Sequence, residues 1–105
     1  TTLFRSVMNI LEKNYADPQF GVKDLTERLN ISYTVIYKKS VSLTGLPPVR
    51  FIQLYRLQIA KKILESSTNN IIVSEIAYRV GFNDPKYFTR CFVKQYKQTP
   101  SSFFK

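Results

Sequence analysis

The residues of this sequence whose types and spacing can do chemistry are cations. In "DPKYFTRCFVKQYK" (84–97), Lys86, Thr89, Arg90, Val93 and Lys97 fall on one side of a helical wheel, and no Asp or Glu stands between 85 and 105. An exposed helix supports itself by pairing acids with bases at i, i+4. This one has bases alone, so its polar face calls for an external anion. Phe88, Cys91, Phe92 and Tyr96 fall on the other side at core spacing. Catalytic chemistry finds little to work with. The chain has no histidine, which removes the usual general base and the commonest metal ligand. Cys91 lies on an apolar face, where a thiol is more often packing than nucleophile. The three glycines form no phosphate loop, and no acids cluster at metal spacing. An enzyme, a metal site and a cofactor are all unexpected.

The charge distribution points the same way. Sixteen Lys and Arg against seven Asp and Glu give +9. Residues 1–27 carry three bases and four acids, whereas residues 28–105 carry 13 bases and three acids. Such a field suits a polyanion, nucleic acid or an anionic membrane, although surplus lysine also serves solubility. The bases are not laid along one amphipathic helix, as a lipid binder requires, and no signal-peptide pattern or long apolar run appears. No membrane contact is expected of this segment. RNA platforms are usually sheets or loops, and neither is evident. Cys91 is the lone cysteine, so an internal disulfide is impossible, which fits a reducing compartment. The chain starts Thr1-Thr2 and reads as part of something longer.

Helices must position these cations, because apolar residues recur at helical spacing almost throughout and no alternating strand is evident. A first helix runs through Leu3, Val7, Leu11 and Tyr15 to "ADP" (16–18), and a short second one spans Val22 to Leu29. Ser32 is the expected N-cap of a third helix, which ends near Leu43 with Gly45 as terminator. Pro47 and Pro48 open a long segment whose stripe is Ile52, Tyr55, Ile59, Ala60, Ile63 and Leu64. About 18 residues of helix would span roughly 27 Å. "ESSTNN" (65–70) should end it, with further helices near 73–80 and 85–96 and a short last one in "TPSSFF" (99–104).

The two halves repeat each other. Val22, Asp24, Leu25, Arg28, Leu29 and Asn30 match Val73, Glu75, Ile76, Arg79, Val80 and Gly81 at an offset of 51. Beyond one extra turn residue the offset becomes 52, and Ile36, Lys38, Val41, Pro48 and Phe51 match Phe88, Arg90, Val93, Pro100 and Phe103. Each copy is a short helix, a tight turn and a second helix. Asn30 and Gly81 hold the turn position that favours a left-handed backbone. This is the layout of a helix-turn-helix, although an ordinary helical hairpin shares it. Two such corners on a rigid connector can enter successive major grooves on one side of a duplex, which recur every ~34 Å.

The run "ISYTVIYKKSVSLTG…FIQLYRLQIAKKIL…VSEIAYRVGFNDPKYFTRCFVKQYKQTPSSFF" resembles the DNA-binding domain of AraC-type (AraC/XylS) transcription regulators over nearly the whole chain. The resemblance implies an all-α fold of about seven helices, with two helix-turn-helix subdomains (1–45 and 67–105) joined by a long linker helix (46–66). It implies sequence-specific binding of double-stranded DNA as the C-terminal output of a larger bacterial, cytoplasmic regulator. A sensor or effector region outside this chain and RNA polymerase would be its other partners. "VMNILEKNYADPQFGVKDL" looks most like versions attached to hybrid two-component sensors of Bacteroides-type bacteria. Carried over by position, the base-facing residues are Thr34, Tyr37 and Lys38 in the first copy, and Pro85, Lys86, Tyr87 and Arg90 in the second. Arg90 suits guanine O6 and N7 or a phosphate, and Tyr37 a thymine methyl or a phosphate. Tyr87 either reads or packs, and Pro85 offers only an apolar surface. Lys39, Asn83 and Lys94 are candidate phosphate contacts, which position without specifying. The first copy departs from the pattern at Ser40, where Phe92 stands in the second; a slight rotation bringing in Val41 would compensate. A bundle that binds another protein remains the competing reading.

Overall fold

The computed structural model describes residues 2–67 and 72–104. Six α-helices follow one another: α1 (Thr2–Asn14), α2 (Val22–Leu29), α3 (Tyr33–Thr44), α4 (Pro48–Ser66), α5 (Val73–Arg79) and α6 (Pro85–Tyr96). Among the described residues there is no strand. The expected seventh helix is a single 3-10 turn, Pro100–Phe103, closed by i→i+3 bonds from Ser102 N–H to Thr99 O at 3.1 Å and Phe104 N–H to Ser101 O at 3.3 Å. Four residues are too few to carry an α-helical ladder. Of the loop expected at 65–70, Glu65 and Ser66 still belong to α4, Ser67 caps it, and 68–70 lie outside the described residues.

Local chemistry explains the boundaries. Asp24 Oδ2 accepts the Gly21 N–H at 2.9 Å ahead of α2, and Ser32 Oγ accepts the Val35 N–H at 3.2 Å at the start of α3. Asp84 Oδ1 accepts the Lys86 N–H at 3.0 Å, with Pro85 in the first turn of α6 where its missing N–H costs nothing. Asn30 (φ 54°) and Gly81 (φ 97°) both take a positive φ between the helices of their corners.

Two apolar clusters form, and α4 feeds both. Leu11, Phe20, Leu25, Ile36 and Ile52 make one; Leu57, Ala60, Leu64, Ile76, Ala77, Val80, Phe82, Phe88 and Phe92 make the other. The first half of the 19-residue α4 therefore serves one cluster and its second half the other. The result is elongated, 43 × 23 × 23 Å. The second cluster is an aromatic ladder: Phe82 meets Phe88 at 5.2 Å between centroids, Phe88 meets Phe92 at 5.7 Å, and Phe92 meets Phe103 at 5.5 Å. The repeat's tails agree, since Pro48 and Pro100 are both buried while Phe51 and Phe103 are both half-buried.

At Ser40 the first copy solves the missing phenylalanine differently from the expected rotation. Val41 is 39% exposed and Ile36 4%, so α3 keeps the register of α6 and Val41 does not turn inward. Instead Ser40 Oγ donates to the Leu46 carbonyl at 2.6 Å. Thr44 Oγ1 donates to Ser40 O at 2.7 Å and accepts the Leu46 N–H at 3.1 Å. Two hydroxyls thus lace the α3–α4 turn. A half-open apolar pocket of about 40 Å³ remains beside them, lined by Leu3, Phe4, Val7, Leu43 and Phe51 among others.

Candidate nucleic-acid interface

Both second helices expose corresponding faces. On α3, Thr34, Tyr37, Lys38 and Lys39 are exposed while Ile36 is buried. On α6, Lys86, Tyr87, Arg90 and Lys94 are exposed, Phe88 and Phe92 are buried, and Pro85 is half-buried; Asn83 is exposed just ahead of the helix. The inward and outward positions match across the repeat, 36 with 88 and 38 with 90. This follows from a 3.6-residue period pinned by one buried anchor in each helix.

On α6 the side chains are organised further. The Tyr87 hydroxyl accepts a hydrogen bond from Gln53 Nε2 of α4 at 2.9 Å, and its ring lies 6.2 Å from Phe82. The Arg90 guanidinium sits 5.7 Å from the Tyr87 ring centroid, within cation–π range. Tyr87 is therefore held by α4 at one end and supports Arg90 at its face. Between α4 and α6 opens a cleft of about 220 Å³, whose lining includes Arg50, Gln53, Tyr87, Arg90 and Lys94 and no acid. Three cations converging without a carboxylate favour an anion in the cleft.

The cleft brings Tyr87, Arg90 and Lys94 together but none of the α3 residues. Tyr37 lies 6.0 Å from Tyr33 by ring centroids, and Lys39 borders the apolar pocket beside α1. Arg50 and Gln53 were not singled out in the sequence. Arg50 stands three residues after Pro47, on a helix read only for its apolar stripe, and only its distance from α6 in space reveals it.

The buried polar groups lie elsewhere. Burial pulls the Arg56 guanidinium below its ordinary pKa, opposed by the field of Asp17. Tyr55 is pushed up by burial, then by Glu12 and Tyr15; Tyr96 is pushed up by burial and Glu65. Among the described residues no group of three or more His, Cys, Asp or Glu is arranged to hold a metal ion, and no helix is long and apolar enough to cross a membrane.

Two corners of short helix, turn and longer helix, each with an outward basic face and both packed on one linker helix, define a tandem helix-turn-helix protein. The chain belongs to the AraC-type helix-turn-helix domain family, whose profile matches residues 25–105. It is 41% identical over 101 residues to histidine kinase P4 of Formosa agariphila, covering 96% of this chain but 7% of that protein. It is 34% identical over 96 residues to the transcriptional activator RhrA of Rhizobium meliloti, covering 91% of this chain and 30% of that one. The chain thus spans well under two thirds of these relatives. Among solved structures, the C-terminal domain of the two-component response regulator yesN from Fusobacterium nucleatum matches with a TM-score of 0.87 and 30% identity, covering 100% of both chains. The DNA-binding domain of the global transcriptional factor AdpA, solved in complex with a target DNA, matches with a TM-score of 0.83 and 30% identity, covering 96% of this chain and 87% of that one. The family is one of transcription regulators, not a class of enzymes.

Proposed function

We propose that this chain binds double-stranded DNA sequence-specifically, with α3 and α6 in successive major grooves, as the output domain of a bacterial transcription regulator. The observation that carries the proposal is the matched outward faces of α3 and α6 on a body 43 Å long. That length accommodates two reading helices set near the ~34 Å recurrence of the major groove. The AdpA domain was solved with a target DNA, and AdpA shares this fold at 30% identity.

In this reading residues 1–45 and 67–105 are the two reading subdomains and 46–66 the linker. Thr34, Tyr37 and Lys38 meet bases from α3; Lys86 and Arg90 meet them from α6, with Pro85 and Tyr87 as apolar and supporting surface. Lys39, Asn83 and Lys94 meet phosphates. Arg50 joins them: the cleft it shares with Arg90 and Lys94 lies between α6 and the first half of α4. Backbone phosphates flanking the minor groove between the two reading sites would pair with Arg50 and Lys94, leaving Arg90 to the bases. The domain works inside the bacterial cytoplasm and makes no membrane contact. It takes its signal from a region outside this chain, in a two-component context like that of its kinase and response-regulator relatives, and acts on RNA polymerase.

Selection of duplexes from a randomised pool at near-physiological salt tests the reading. Two preferred blocks about one helical turn apart are expected. A single block would confine base reading to one helix. No enrichment would refute duplex recognition and favour a protein partner.

A further inference from the structure

The linker helix is not the only tie between the two halves. From the middle of α4 the Arg56 side chain, 9% exposed, crosses into the α1–α2 loop. Its Nε donates to the Tyr15 carbonyl at 2.9 Å, and one Nη donates to the carbonyls of Asp17 and Phe20 at 3.0 Å each. All three acceptors belong to the loop that leads into the first corner. The turn of the second corner closes on the same groups from the other side. A Cβ placed on Gly81 would collide with the Tyr15 carbonyl oxygen and stand 2.7 Å from Arg56 Nε, so only a bare Cα fits. The Tyr15 side chain reaches across as well, packing on the second apolar cluster, with its ring 5.8 Å from that of Tyr55. Three segments distant in sequence therefore meet at one guanidinium.

Burying a cation without an ion pair is costly, and among the described residues no carboxylate bonds to Arg56. An apolar side chain would fill the same space. What the guanidinium adds is direction: a planar fork with fixed N–H vectors that hold a loop in one orientation. Direction matters here because one base pair is about a tenth of a helical turn, roughly 3.4 Å and 35°. A modest pivot of one half about α4 would let the second helix meet a block shifted by that much.

We infer that Arg56, with Tyr15 and Gly81, is a clasp that fixes the spacing and register at which α3 and α6 read DNA. Arg56 is a positioning residue that touches no base, and the preferred spacing between blocks is set at this clasp rather than by α4 alone. The inference rests on the two-groove reading above.

The test measures binding of the full chain to duplexes carrying both selected blocks at the preferred spacing, at one base pair more or fewer, and to a duplex with one block. The unaltered protein should lose at least about tenfold on the shifted duplexes, because displacing a block forfeits its base contacts. Arg56→Gln should bind the single block within about twofold of the unaltered protein, yet lose less than about threefold on the shifted duplexes. An Arg56→Gln protein that keeps the full spacing penalty, or weakens equally on every duplex, overturns the clasp. If the unaltered protein ignores the second block, the two-groove reading fails instead, and the clasp has no spacing to set. Should circular dichroism show Arg56→Gln unfolded, Arg56→Lys decides by the same criteria, since it keeps the buried charge but lacks the planar fork that bonds three carbonyls.

Discussion

Replacing Arg50 with alanine probes the cleft between α4 and α6. Arg50 is exposed, so its removal should leave stability within about 0.5 kcal/mol of the parent, as is usual at the surface. Its expected effect is on salt dependence. Each phosphate neutralised on a duplex contributes about −0.9 to the slope of log K against log salt. Between 50 and 200 mM salt, about fourfold, one contact thus accounts for a factor of roughly 3.5 in affinity. Arg50→Ala should bind more weakly at low salt and flatten the slope by about 0.9, so the gap from the parent narrows by roughly 3.5-fold across that range. The selected sequence should not change. Fluorescence anisotropy titrations at four or five salt concentrations, with selection repeated on the variant, measure both quantities. An unchanged slope would mean that Arg50 neutralises no phosphate in the cleft. A relaxed preference at one base position would make Arg50 a reader.

Arg90→Ala should cost about 1–3 kcal/mol and relax preference at one position, and equal loss on every sequence would make it a phosphate contact instead. At Ser40 two effects of similar size oppose each other. Ser40→Ala loses the bond to the Leu46 carbonyl, about 1 kcal/mol. Ser40→Val loses it too, but its two methyl groups cover apolar surface of the adjoining half-open pocket, worth about 1 kcal/mol if roughly 40 Å² leaves water at about 25 cal/mol per Å². Valine should therefore match the parent in urea denaturation while alanine falls below it; valine below alanine would contradict the packing described for α3. Burial raises the pKa of Tyr96, so the folded state keeps this proton to higher pH than the unfolded chain does. Its stabilising effect is intact below about pH 10 and is lost as pH rises further. Among the described residues the buried Tyr96 hydroxyl has no hydrogen-bond partner, so Tyr96→Phe should be neutral or stabilising at pH 7 and should reduce the alkaline loss, as thermal unfolding at pH 7 and above about pH 10 would show.

What the sequence discloses and what it hides divide along a physical line. The duplication is legible because its carriers are local: a turn residue needing positive φ, a cap beside its helix, an apolar residue every third or fourth position. Asn30, Gly81, Ser32 and Asp84 act within two or three residues of themselves, and the structure gives each the geometry its type calls for. Ser40 shows where local reasoning stops. Its break in the apolar pattern was visible, but its remedy lies six residues on at Leu46, through a hydroxyl whose partner no periodicity names. The cleft goes further, since Arg50 and Arg90 meet only because α4 and α6 pack together. Arg56 is the instructive case between these limits. Pro48, Ile52, Arg56, Ala60 and Leu64 form an unbroken i, i+4 series, and all five are buried. The stripe read from the sequence ran through Tyr55 and Ile59 and passed over the arginine at its centre. An arginine within a run of buried positions must find oxygen, and the acceptors nearest in sequence are committed to the helix. That series marks Arg56 as a residue satisfied from another segment. The carbonyls it reaches, 36 to 41 residues upstream, are those of the loop that leads into the first reading corner.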